Sequence, residues 1–162
     1  MGHPDQNVVQ HGAAGRKLAQ EIMARPGGEH LSLCFACGTC TLACPVAEVT
    51  ETFNPRRIIR QILLGRGTEV LDDPAIWLCH QCFRCAVHCP QGVSFTTIMR
   101  ILQGLAQEQG RVTPRFVAAL HQAEQEIEAL RTRVFAELAA HRQEEAPPEP
   151  AELVRKATAA GE

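Results

Sequence analysis

The residues best suited to chemistry are eight cysteines gathered in two runs. "CFACGTCTLACPV" spans Cys34 to Val46, and "CHQCFRCAVHCPQ" spans Cys79 to Gln91. Each reads C-x-x-C-x-x-C-x-x-x-C-P, the second starts 45 residues after the first, and no cysteine lies elsewhere. Thiols at such gaps are metal ligands or disulfide partners, and in a reducing compartment the metal reading is favoured.

Three thiolates two residues apart wrap one corner of an iron–sulfur cube in a tight loop, and the cube needs four thiolates. The fourth cysteine of each run lies too far along to join its own loop easily; in two-cluster ferredoxins it serves the other cluster. The spacing therefore predicts two [4Fe–4S] clusters. Cys34, Cys37, Cys40 and Cys89 would hold one, and Cys79, Cys82, Cys85 and Cys44 the other. Pro45 and Pro90 would turn the chain away after the fourth ligand, having no N–H to leave unpaired. Gly38 would let backbone approach a cluster. One zinc site would use four cysteines and leave the rest without a reason. Two would use all eight but not explain the shared spacing and proline. His80 and His88 lie within the second run, but eight thiolates already fill eight places. Trp77, two before Cys79, reads as a core residue that can also shield a cluster.

With every thiol used, none remains as a nucleophile, and each cluster has four protein ligands and no open iron. The chain has no G-x-G-x-x-G after a strand and no P-loop. The expectation is single-electron transfer with no catalytic residue of its own, the organic chemistry falling to partner proteins.

Helices must position these runs. One is expected from about Ala13 to Arg25, stopped by "PGG". "NPRRIIRQILLGRG" offers Asn54 as N-cap, Pro55 at the first helical position, an Ile58, Ile59, Ile62, Leu63 stripe, and Gly65 as stop. Arg56, Arg57 and Arg60 read as its solvated face. Asp73 and Pro74 start a short helix into Cys79. Ser94 caps a helix carrying Phe95, Ile98, Met99, Leu102 and Leu105 and ending at Gly110. Thr113 and Pro114 open a longer one to about Arg142, with a stripe of Val117, Leu120, Ile127, Leu130, Val134 and Leu138 that suits either a core or a partner. No alternating strand is evident. The predicted organisation is a flexible 1–12, a helical two-cluster domain over 13–110, a long amphipathic helix over 111–143 and a disordered, proline- and glutamate-rich tail over 144–162. The internal repeat is confined to the cysteine runs and implies a pseudo-twofold pair of sites.

The 162 residues suffice for one compact domain plus a tail, and the formal charge of −2 favours neither nucleic acid nor an anionic membrane. No apolar run approaches the about 20 residues of a membrane span. The first residues lack the apolar centre of a secretory signal, and Asn7 stands where myristoylation needs Ser or Thr. A soluble cytoplasmic protein is expected.

"CGTCTLACPV" followed by "DDPAIWLCHQCFRCAVHCPQGV" resembles the C subunit of heterodisulfide reductase. The match includes Ile76, Trp77 and Leu78 before the second run and Pro90, Gln91, Gly92 and Val93 at its end, and covers about residues 30–105. The resemblance implies an all-α fold, the alpha-helical ferredoxin also seen in iron–sulfur subunits of succinate dehydrogenase and fumarate reductase. It implies partners: a B-type protein with cysteine-rich CCG domains acting on a disulfide, and an A-type protein holding FAD and further clusters, with the C-type chain relaying electrons in a hetero-oligomer. In methanogens the substrate is the mixed disulfide of coenzymes M and B. Two lysines against fourteen arginines, with much alanine, point to a high-GC bacterial source, where such complexes serve sulfur oxidation through lipoate-binding proteins, or electron bifurcation. Two other readings are an iron–sulfur subunit of a flavin-dependent glycolate or glycerol-3-phosphate dehydrogenase, and a non-redox interaction module stapled by its clusters. The dehydrogenase chains usually carry extra domains for which 162 residues leave no room.

Overall fold

The computed structural model describes residues 13–159. The flexible reading of 1–12 lies outside them. Among the described residues all regular structure is helical, and the chain divides into two compact units between Arg111 and Val112. No helix among these residues is long and apolar enough to cross a membrane.

In the first unit, α1 (Ala13–Met23) precedes a 3₁₀ turn at Glu29–Leu33, which delivers the chain to Cys34. The first run contains α2 (Thr39–Leu42) and leads into α3 (Pro45–Val49), with Pro45 at its first position. Next comes α4 (Pro55–Leu63). Asn54 caps it, its Oδ1 accepting from Arg57 N at 3.0 Å. Beyond α4, Gly65 takes φ 79°, Gly65 N donates to Ile62 O and Arg66 N to Gln61 O. This left-handed stop satisfies carbonyls that the helix leaves open. A helix not foreseen in the sequence, α5 (Gly67–Asp72), follows. A second 3₁₀ turn, Pro74–Leu78, is capped by Asp73, which accepts from Ala75 N at 2.8 Å. The second run holds α6 (Arg84–Val87) and leads to α7 (Phe95–Glu108). Ser94 stands at the N-cap, but its hydroxyl meets Thr97 Oγ1 at 2.7 Å and makes no bond to the helix backbone.

Apolar faces of these helices make one core. Leu18 and Ile22 of α1, Ile58 and Ile62 of α4, Val70 of α5, Ile76, and Ile98 and Leu102 of α7 are all buried. α1 packs on α4, α5 and α7. Two polar ties pin the edges: Arg25 donates to Glu108, and Gln103 Nε2 donates to Ile76 O at 2.9 Å. Trp77 packs half-buried against the core.

The repeat is longer than the cysteine runs. Each run is preceded by a five-residue 3₁₀ turn and contains a four-residue helix. Each is followed by a helix ending in the same left-handed glycine stop, Gly65 in one half and Gly110 in the other. Ten steps separate Cys44 from Asn54 but five separate Cys89 from Ser94, while α4 has 9 residues and α7 has 14. The shorter loop is offset by the longer helix. The glycine stops thereby keep the 45-residue offset of the cysteines, and only the helix starts depart from it.

The second unit contains α8 (Pro114–Ala140), capped by Thr113 Oγ1 accepting from Phe116 N at 3.2 Å. Of the predicted stripe, Val134 is buried, while Ile127 is 65% exposed. The tail departs from the disordered reading, since Pro150–Ala159 forms α9. Leu153 of α9 is buried in this unit as Val134 is, and Arg133 Nη2 donates to Ala157 O at 3.1 Å. The proline-rich composition conceals a helix start. Pro150 occupies the first turn, where its missing N–H costs nothing, and one leucine supplies the packing.

Candidate metal centres

The four-residue helices and the 3₁₀ turns hold the two runs as matching loops. In the first, Ala36 and Gly38 take φ 59° and 89°; in the second, the corresponding Gln81 and Phe83 take φ 50° and 61°. Left-handed backbone costs about 1–3 kcal/mol at each non-glycine position. Left-handed residues alternating with right-handed ones are the backbone pattern that forms anion-binding concavities of N–H groups. A Cβ on Gly38 would meet Arg56 Cδ and Nη1 at 3.8 Å, an ordinary contact. Glycine suits the backbone angle here, and the protein atoms around it leave room for a side chain.

Two clefts open between the loops. The first is rimmed by Cys34, Cys37, Cys40 and Cys89, walled by Ile59, Val93 and Phe95 and flanked by Arg56. The second is rimmed by Cys44, Cys79, Cys82 and Cys85 and walled by Val46, Phe53, Phe95 and Thr96, with His80 at its edge. Three thiols of each cleft come from one run and the fourth from the other. All eight are unpaired with one another; Cys85 is buried, while Cys37 and Cys82 are exposed. The residues lining the two clefts include neither His88, which is exposed, nor Trp77.

Thiolates are hard to keep in these walls without a cation. Burial pushes Cys40 up to about 11, and negative charge on Cys34, Cys85 and Cys37 would add to the rise. Burial likewise pushes Cys79 up to about 11, with Cys85, Cys44 and Cys82 adding to it. Cys37 is the contrast. A hydrogen bond with Thr39, whose hydroxyl lies 3.3 Å from Sγ, lowers its pKa, and Arg56 contributes. Val93 N donates to Cys89 Sγ at 3.3 Å, and Thr96 Oγ1 lies 3.1 Å from Cys85 Sγ.

The 4Fe-4S dicluster domain family matches residues 30–93. The C subunit of the H(2):CoB-CoM heterodisulfide,ferredoxin reductase of Methanothermobacter thermautotrophicus is 33% identical over 110 residues, covering 68% of this chain and 58% of that one. The heterodisulfide reductase C-subunit-like protein of Archaeoglobus profundus is 37% identical over 93 residues, 57% of this chain and 50% of its own. The C subunit of the ferredoxin:CoB-CoM heterodisulfide reductase of Methanosarcina mazei is 43% identical over 99 residues, 60% of each chain. The chain is heterodisulfide reductase C-subunit-like. It spans between half and three-fifths of the length of these three relatives.

The cofactors of this C-subunit-like chain are two [4Fe–4S] clusters, and the clefts fit them by their donor sets. Iron in such clusters is held by thiolate, and each cleft offers four thiols beside apolar walls. Among the described residues, no three His, Cys, Asp or Glu side chains converge closely enough to hold a single ion. A cube takes one thiolate at each of four corners, which is the donor count each cleft offers. Two residues of the site escaped the sequence reading. Arg56 belongs to the first cleft, though it reads as a solvated cation. Thr96 is fully buried in the second. Their shared place, second in the helix after each run, is a signal that emerges once α4 and α7 are aligned by their caps.

Proposed function

We propose that this chain relays single electrons as the C-type member of a cytoplasmic heterodisulfide-reductase-like complex. In this reading Cys34, Cys37, Cys40 and Cys89 hold one cluster, and Cys79, Cys82, Cys85 and Cys44 hold the other. The observation that carries it is the sorting of eight thiols into two clefts of four, each completed by the other run. The similarity to C subunits of heterodisulfide reductases and a C-subunit-like protein supports the assignment to such a complex. The partners are a B-type protein with CCG domains and an A-type protein with FAD and further clusters. The arginine-rich, lysine-poor composition favours a bacterial complex of sulfur oxidation.

A bound [4Fe–4S] cluster takes up and gives back one electron without binding a reactant. The chain's residues do the rest. A backbone N–H reaches a sulfur where Val93 N donates to Cys89 Sγ. Phe53, Phe95, Val93 and Ile59, all buried, keep water from the inner faces. Exposed Cys37 and Cys82 bring one ligand of each set to the surface, where an electron enters at one site and leaves at the other. No proton moves and no bond is made in this chain.

The test is isolation of the native complex, with identification of its other chains, iron analysis and an EPR-monitored redox titration. About eight irons per chain, reversible reduction and a CCG-domain companion are expected. Bound zinc, clusters that never change spin state, or a hydroxy-acid flavin dehydrogenase as companion would each overturn the reading.

A further inference from the structure

The helices that follow the two cysteine runs can be aligned by their cap positions, and their first residues differ in type. Asn54 and Ser94 stand at the caps, Pro55 and Phe95 come first, and Arg56 and Thr96 come second. Both second residues reach a cleft, Arg56 the first and Thr96 the second. Arg56 is exposed, so its charge is screened by solvent and salt. Thr96 is the one fully buried polar residue among those described, at 0% exposure.

A hydroxyl in such a place costs free energy unless it is hydrogen-bonded. Valine has nearly the same shape, so packing alone does not require threonine here. The hydroxyl lies 3.1 Å from Sγ of Cys85, the most buried of the eight cysteines at 7%. In the free chain either atom can donate. A sulfur bonded to iron has no proton, which leaves the threonine O–H as the donor and the sulfur as the acceptor. Such a bond withdraws negative charge from the sulfur and favours the reduced cluster.

We propose that Thr96 is a positioning and tuning residue for the second cluster, its hydroxyl donating to the Cys85 sulfur and raising that cluster's reduction potential. The proposal rests on the ligand assignment above. The two sites would then be tuned by different means: a dry, short-range dipole at the second and a solvated cation at the first. A dipole in a dry wall keeps its effect as ionic strength changes; an exposed guanidinium does not.

The test compares wild type with Thr96→Val, Thr96→Ser and Thr97→Val in the cluster-loaded full chain. Iron analysis, an EPR redox titration and pulsed EPR after transfer to D₂O are the readouts. In Thr96→Val, one of the two couples should shift about tenfold toward the oxidised form, about 59 mV for one electron, while the other stays in place. An exchangeable deuteron coupled to that cluster should disappear in Thr96→Val and persist in Thr96→Ser and Thr97→Val. Intact clusters with both couples unmoved would overturn the proposal. If Thr96→Val sheds the second cluster, the deuteron decides: its absence from both wild type and Thr96→Ser refutes the bond. A wild-type chain without two [4Fe–4S] clusters would instead defeat the underlying assignment.

Discussion

Phe53 and Phe95 meet edge to face, their ring centroids 6.1 Å apart and their planes at 60°. Both are about 1% exposed. Phe95 lines both clefts and Phe53 lines the second. The pair therefore joins the chain entering α4 to the first turn of α7 and forms part of the apolar wall of the sites. Phe95→Ala should cost about 3–5 kcal/mol of stability and hasten bleaching of the visible absorbance in air. Leu42→Ala, at a position 90% exposed, should stay within about 0.5 kcal/mol. Denaturant midpoints of the loaded protein and bleaching half-times check both.

The exchange of the fourth thiol gives a pairing test. Cys89→Ser should remove the same EPR signal as Cys34→Ser, although 55 residues separate the two positions. Cys44→Ser should match Cys79→Ser. Each variant should keep about half the iron. If Cys89→Ser instead removed the signal lost in Cys79→Ser, each run would be holding its own cluster.

Cluster loading should depend on pH, with a sign set by the thiols. Cys40 and Cys79 are pushed up to about 11 from an ordinary 9, so at neutral pH both carry protons that iron must displace. Falling pH favours the protonated form. Removal of iron by a chelator should therefore become more favourable as pH drops from 9 to 7, by up to about tenfold per pH unit for each thiol. The equilibrium loss of visible absorbance against chelator concentration measures it. Linkage runs the opposite way for the fold of the cluster-free chain. These groups stabilise it fully below pH 9, and the contribution is lost as pH rises through about 11.

The second unit should behave as a helical hairpin. Leu153→Asp places a carboxylate at a position 4% exposed, where an unpaired charge is costly. Hydrogen exchange over residues 150–159 should rise to the rate of an unstructured chain, with the visible spectrum unchanged. Protection that survives the substitution would show that α9 is held by something other than Leu153.

Spacing and caps made much of this chain legible. The all-helical class and the two-cluster cofactors follow from the cysteine runs together with local signals. Asn54 and Asp73 cap as their side chains require, and Gly65 and Gly110 stop their helices at positive φ. The misses have local causes too. α5 lacks a strong cap, since Arg66 precedes it without a side-chain bond. α9 hides in a proline- and glutamate-rich segment with a single buried leucine. Ser94 looks like a cap but spends its hydroxyl on Thr97. Arg56 and Thr96 have ordinary surface-type identities, and only the fold brings them to the clefts. A threonine at helical spacing gives no hint that a sulfur stands beside it.

The crossed rims also bear on how the protein is made. During synthesis the first three thiols of the earlier cleft emerge from the ribosome long before Cys89, and Cys44 likewise waits for the later run. Neither cleft is complete until the second run has been translated. Under the proposed ligand assignment, neither cluster has its full thiol set before this point, and a chain that stalls earlier carries only partial sets.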